Sequence, residues 1–436
     1  MSTQLPIVNA SDAARIRGER RSQRVVIAFV LSGLVFMLLP GSFLGVWNLL
    51  SISQGHRPES ISQAWLQAHG QAQIFGWIGS FILGIGFYSL TKMKTTKAFP
   101  VYAGWVAWSL WTAGVLLRWF GGVSGDAWRM LFSLSALLQF AGFIAFYFSV
   151  RRHRPTGTTD ARDKAWMNLV ACATLAFLVT LVANGWMALH QAIYGASPAL
   201  PHWPDQQLVV LAVWGVLVPT IWGFNARWLP VFLGLNPTNQ TALYAAYALS
   251  VSGVVATLLG FLPVAEVILL VASLLAIEAL HIWTPSVHPP KLLHVHRSFP
   301  AFVRLAYAWL VVSCLLSILA IRWDTAGGIW GASRHALTVG FVGLMVFAIG
   351  QRVLPAFCGM RVLWSESLMA WSLYLLFLGC LLRVTMEPLA YEGIWMAAWK
   401  VLPVSAVTEL TAVSLFAINL GGTIFRAPAH LLHAAR

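Results

Sequence analysis

HGQAQIFGWIGSFILG at 69–84 and HALTVGFVGLMVFAIG at 335–350 each open on a histidine and then run apolar. In both, Phe stands six and twelve positions after the histidine and Gly fifteen: His69, Phe75, Phe81 and Gly84; His335, Phe341, Phe347 and Gly350. With the residues that follow, each run reaches the ~20 residues that cross a bilayer core as a helix. If both cross in the same direction, the two imidazoles lie at one depth. Two neutral imidazoles at one depth suit the axial positions of a haem iron. They suit equally two interfacial side chains capping helix starts.

The composition fixes the class. Of 436 residues, 58% are hydrophobic and 10% charged, with mean hydropathy +0.73. Soluble globular chains carry roughly 25% charged residues. The chain is therefore a polytopic, all-α membrane protein in contact with lipid. Its 22 Trp residues fit that class, because indole favours the membrane–water interface. The net charge of +14 resides in short loops between apolar runs, which reads as orientation signal and anionic-lipid contact and not as nucleic-acid binding. Cys172, Cys314, Cys358 and Cys380 stand singly in apolar segments, as inert core residues do. No cleavable signal peptide is evident, and no Walker, zinc-protease or CxxC motif occurs, so ATP-driven transport and covalent haem attachment are not expected.

Apolar runs near 25–49, 69–91, 100–120, 128–150, 165–189, 206–229, 241–261, 263–283, 300–321, 335–357, 363–383 and 396–422 predict twelve spans. They form one membrane domain over 25–422, between a basic segment 1–24 and a short tail 423–436. Basic residues cluster at alternate ends: Arg15 to Arg24, then Lys92 to Lys97, Arg151 to Lys164, Arg227, Lys291 with Arg297, Arg352 with Arg361, and Arg426. The positive-inside rule then puts both termini in the cytoplasm.

An internal repeat joins two of these spans. RWLPVFLGL at 227–235 and RVLPAFCGM at 352–360 share Arg, Leu, Pro, Phe and Gly at a constant offset, since 352 − 227 = 125 and 355 − 230 = 125. Together with the histidine runs, this makes spans two, six and ten equivalent, four helices apart and parallel. That is a duplication without inversion. At the same offset His335 corresponds to Val210 (335 − 125 = 210), so span six has no histidine there.

Of twelve histidines, topology leaves His56, His69, His190, His202 and His335 on the periplasmic side. His69 and His335 are the candidate metal ligands. Gln73, at i+4 from His69, either orients that imidazole or bonds between helices. Arg334 either neutralises a haem propionate or anchors the span at the interface. Glu409 within span twelve and Glu278 beside His281 invite a different reading, a cofactor-free secondary transporter working through intramembrane carboxylates.

HALTVGFVGLMVFAIGQRVLPAF, IWGFNARWLPVFLGL and HGQAQIFGW resemble stretches of the NnrS family, bacterial inner-membrane proteins associated with nitric oxide tolerance and described as haem- and copper-containing. The resemblance runs from span two through span eleven. More widely, the layout is similar to subunit I of the haem-copper oxidases, with twelve spans in three arcs of four. The resemblance implies haem b held by His69 and His335, with nitric oxide or a redox partner as the further contact. The family pattern has a second histidine two residues after the first, where this chain has Gln71, and spans six and seven carry no histidine. A dinuclear oxidase or nitric oxide reductase centre is therefore not expected, and the departures weaken the implied copper site.

Overall fold

The computed structural model describes residues 10–56, 60–92, 101–152, 164–359 and 361–427, with side chains from Arg20 onward and, in the second stretch, as far as Tyr88. Twelve helices follow one another: α1 over 10–55, α2 over 63–92, α3 Val101–Ser124, α4 Trp128–Arg152, α5 Lys164–Tyr194, α6 His202–Phe232, α7 Gln240–Leu258, α8 Leu262–Ala279, α9 Phe299–Trp323, α10 Gly328–Phe357, α11 Glu366–Tyr391 and α12 Ala398–Phe425. Among the described residues there is no strand. Ten of the helices are long and apolar enough to cross a membrane by length and composition. The other two, α2 and α3, are woven into the same bundle: Trp111 Nε1 of α3 donates to Ser80 Oγ of α2, 3.2 Å away.

Successive helices pack against one another along the chain. α12 packs back on α1 and closes the ring. With little hydrophobic driving force between helices in lipid, close backbone approach matters most. α3 and α4 cross through Gly114 and Gly142; a Cβ on Gly142 would lie 2.9 Å from Trp111 N. Large apolar side chains such as Leu39, Leu137, Trp186 and Trp371 cover the outside, where lipid takes the place of a core.

α6 and α10 lie inside the ring: 67% and 78% of their apolar windows are buried, against 33% for α7 and α12. α2, α6 and α10 together line an apolar cavity of about 90 Å³ among Ile78, Phe81, Leu217, Phe224, Met345 and Ile349. The three helices marked as equivalent by the repeat are thus the three inner ones. The repeat extends to detail. Leu233 N bonds Leu229 O and Cys358 N bonds Leu354 O, both at 2.8 Å and at the offset of 125. Gly234 (φ 67°) and Gly359 (φ 107°) then end their helices in a conformation that L side chains rarely adopt.

All three inner helices, and α1, contain π-helical turns: Met37–Phe43 around Pro40, Ala72–Gly79, Val213–Leu217 and Ala336–Gly343. Such turns are rare and gather at functional sites. In α2 and α10 they follow directly on the histidine turns.

Helix ends differ from the apolar runs in a way that matters for the site. α2 begins at 63, not 69, because its polar first turns find partners: Gln67 donates to Leu200 O at 2.9 Å and accepts from Leu200 N at 2.8 Å. α10 begins at Gly328 and α11 continues to Tyr391. The helices α1 and α12 likewise run past 25 and 422, from Ala10 and to Phe425.

Candidate functional site

His69 and His335 both sit within their helices, so neither is a helix-capping residue. The even-numbered helices run in one direction, which puts both histidines toward the same end of the bundle. His69 Nδ1 lies 2.9 Å from Gly41 O, in the π-helical turn of α1. His335 Nδ1 lies 2.8 Å from Gly331 O, one turn back in its own helix. A carbonyl oxygen only accepts, so each Nδ1 carries a proton, and in the neutral ring Nε2 is then the nitrogen with the lone pair. That is the tautomer a metal-ligating imidazole needs. The two rings act electrostatically on one another, and Arg383 acts on His69 as well.

Small residues make the seats. A Cβ on Gly45 would lie 2.7 Å from His69 Cε1, so α1 offers the ring a notch that only glycine leaves open. Gln73 does not reach His69. Its Nε2 donates to Ser42 Oγ at 3.1 Å, next to the Gly41 carbonyl that holds the histidine, and its Oε1 is buried without a hydrogen-bond partner. Arg334 stands exposed at the rim, donating to Gln206 Oε1 at 3.0 Å, and its charge reaches Glu387. Gln71 faces away from His69, toward Asn184 Oδ1 at 3.4 Å.

α11 supplies residues that the apolar pattern hides. Glu387 Oε2 lies 3.2 Å from His335 Nδ1. Arg383, one turn earlier, pairs with the same carboxylate: Nε–Oε2 is a 3.1 Å ion contact, and the aligned hydrogen bond runs from Nη2 to Oε1 at 3.3 Å. Both residues are buried. Gly331 makes room for them, since a Cβ there would collide with Glu387 Oε1 at 2.2 Å. Glu409 of α12 joins the cluster within the fields of His335, Arg383 and Glu387, and its Oε1 is buried without a partner. Buried charges in a membrane protein are costly unless paired or functional.

The loops at this end are tied to the site. Asp324 accepts from Gly327 N and, at 2.7 Å, from Trp330 N, holding the start of α10. Glu392, just past α11, accepts from Thr325 N at 3.0 Å, Ala326 N at 3.2 Å and Gly328 N at 3.3 Å. Partial burial pushes the Glu392 carboxyl up, but the bonds from Thr325, Ala326 and Gly328 outweigh it and hold the group below the ordinary glutamate value.

The other candidates lie apart. Glu278 is exposed at the opposite end of the bundle from Glu409, so these two carboxylates do not form one site. His190 and His202 are exposed, and His153, His430 and His433 lie outside the described residues. Among the described residues no three or more His, Cys, Asp or Glu converge as a metal-binding group.

The family model described as NnrS protein matches residues 27–427. The chain belongs to the NnrS family. Comparison with curated proteins gives no match. Among solved structures this NnrS-family chain is similar to a haem-copper terminal oxidase dimer seen by cryo-electron microscopy, at 12% identity and a TM-score of 0.66, covering 94% of this chain and 85% of that one. Identity that low speaks to fold alone. The twelve-helix layout of the NnrS-family protein is thus that of an oxidase-like bundle.

Proposed function

We propose that this NnrS-family protein binds one b-type haem between α2 and α10, with His69 and His335 as axial ligands. We infer further that it serves nitric oxide tolerance in a bacterial inner membrane, both termini cytoplasmic and the histidine end periplasmic. The observation that carries the reading is the tautomer of both rings. Each Nδ1 is bound to a backbone carbonyl, which in the neutral ring leaves each Nε2 as the nitrogen with a lone pair. The buried, unpartnered Arg383 Nη1 and Glu409 Oε1 beside them fit a site made to face a polar or charged group.

A bound haem supplies one-electron redox chemistry and affinity for small diatomic ligands. The protein's part is positioning. Gly41 and Gly331 fix the imidazole planes, Gly45 seats His69, and Gln73 steadies the Ser42 turn behind it. Arg334, exposed at the rim, is the residue for a propionate. With both imidazoles committed to a bound haem, electron transfer or sensing would suit the site better than turnover. The haem reading also takes up Glu409, the one carboxylate of the transporter alternative that lies near the histidines.

The test is an optical spectrum of the purified protein, as isolated and after dithionite, with iron analysis. Low-spin haem with a sharp reduced α band is expected, at one iron per chain. Protein expressed with ample haem but lacking a Soret band refutes the reading.

A further inference from the structure

The two candidate ligands are held unequally. His335 Nδ1 bonds Gly331 O at 2.8 Å in its own helix and also makes a 3.2 Å ion contact with the Glu387 carboxylate. That carboxylate is itself fixed by Arg383 and given its place by the missing side chain of Gly331. His69 Nδ1 has one acceptor, the neutral carbonyl of Gly41, on another helix and in a π-helical turn next to Pro40. A carboxylate this close adds an electrostatic attraction that a neutral carbonyl lacks. A carboxylate behind a ligating imidazole also makes it a more basic, better oriented ligand.

We propose that His335 is the permanent axial ligand and His69 the one that yields when a small neutral ligand competes, with Glu387 the positioning residue that sets this order. The inference rests on the haem reading above. It assigns a direction to ligand exchange: the incoming molecule arrives on the α1–α2 side, where Gly41, Gly45 and Pro40 lie, and leaves the α10–α11 side unchanged. Arg383 takes part indirectly, by keeping Glu387 in place.

The experiment compares His69→Gly and His335→Gly in the full-length protein, with the wild type and Glu387→Gln alongside. Haem content and spin state are read optically, with and without added imidazole. Resonance Raman of the reduced His69→Gly form reads the iron–histidine stretch. We expect His69→Gly to keep its haem as a high-spin form that imidazole returns to low spin, while His335→Gly loses most of its haem. The iron–histidine stretch in His69→Gly should lie high, as for a strongly hydrogen-bonded imidazole, and should drop when Glu387→Gln is added. In Glu387→Gln alone the haem midpoint potential should rise, because a fixed negative charge that favours the oxidised iron is gone. The opposite retention pattern, or equal retention by both glycine variants, overturns the order of lability. An iron–histidine stretch and a midpoint potential both unmoved by Glu387→Gln remove Glu387 from the proposal, even where His335→Gly fails to fold. A wild type without haem overturns the haem reading itself, and the inference falls with it.

Discussion

Replacing Glu387 by methionine should leave Arg383 charged and without its counter-ion inside the bundle. The pair is close, at 3.1 Å between Nε and Oε2, and at an effective dielectric of about 20 two unit charges at that separation attract by about 5 kcal/mol. Removing one partner of a buried pair costs about 3–5 kcal/mol, whereas replacing both by apolar residues of similar volume is often neutral. The single variants Glu387→Met and Arg383→Met should therefore each destabilise the apoprotein by about 3–5 kcal/mol, and the two together by far less than the sum of the singles. Thermal or denaturant unfolding of the four proteins in one detergent, without haem, reads this cycle. Strict additivity, with the double methionine variant as damaged as its two singles combined, would refute the buried ion pair.

Three further outcomes follow from other parts of the molecule. Gly45→Ala puts a methyl 2.7 Å from His69 Cε1, so it should push the ring off the Gly41 carbonyl, cost about 1–3 kcal/mol, and lower haem content several-fold by pyridine haemochrome assay. Asn419→Leu removes the donor to Gln351 Oε1 (2.7 Å) and the acceptor of Ser365 N (2.9 Å), leaving two groups unpaired where α10, α11 and α12 meet. At about 1–3 kcal/mol per orphaned group the loss should be on the order of 3 kcal/mol by denaturant unfolding, and a change below 0.5 kcal/mol would refute the network. Glu392 is held below its ordinary value of 4.5, so its contribution is complete above that value and is lost as pH falls through the lower folded value. Hydrogen exchange of the 325–328 amides should accelerate in that acid window in the wild type, while Glu392→Gln should already exchange fast at neutral pH and show no such step.

Much of the architecture is written in local chemistry. Apolar runs and alternating basic residues suffice for twelve helices, because both obey the bilayer's geometry and need no knowledge of tertiary contacts. The offset of 125 marks the inner helices because Arg, Pro and Gly at a helix end are tied to backbone conformation. His69 and His335 both stand just ahead of a π-helical turn, in α2 and α10. Arg383 and Glu387 were not legible in the same way: Arg383 is the last residue of the apolar run of span eleven, Glu387 falls beyond it, and Pro388 mimics a helix stop, so Glu387 reads as one of the loop acids. The available signal was their i, i+4 spacing, which only matters once the helix is known to continue to Tyr391. Gln73 shows the other limit. Helical periodicity puts it beside His69, but a turn that departs from 3.6 residues and a neighbouring serine decide what it bonds.

Those widened turns make the inner helices sensitive to length and not only to composition. A π-helical turn accommodates one residue more than the α-helix it interrupts, and each residue is worth about 100° of rotation. Deleting a single residue within Ala72–Gly79 would let α2 close up as a regular helix with its hydrogen bonds intact. Because the widened turn absorbs its extra residue, the two halves of α2 would stay close to their present phase, with His69 still toward Gly41 and Gly45, whereas the same deletion in a regular turn of α2 would swing His69 by about 100°. Where along α2 a residue is lost thus decides whether the histidine stays at the site.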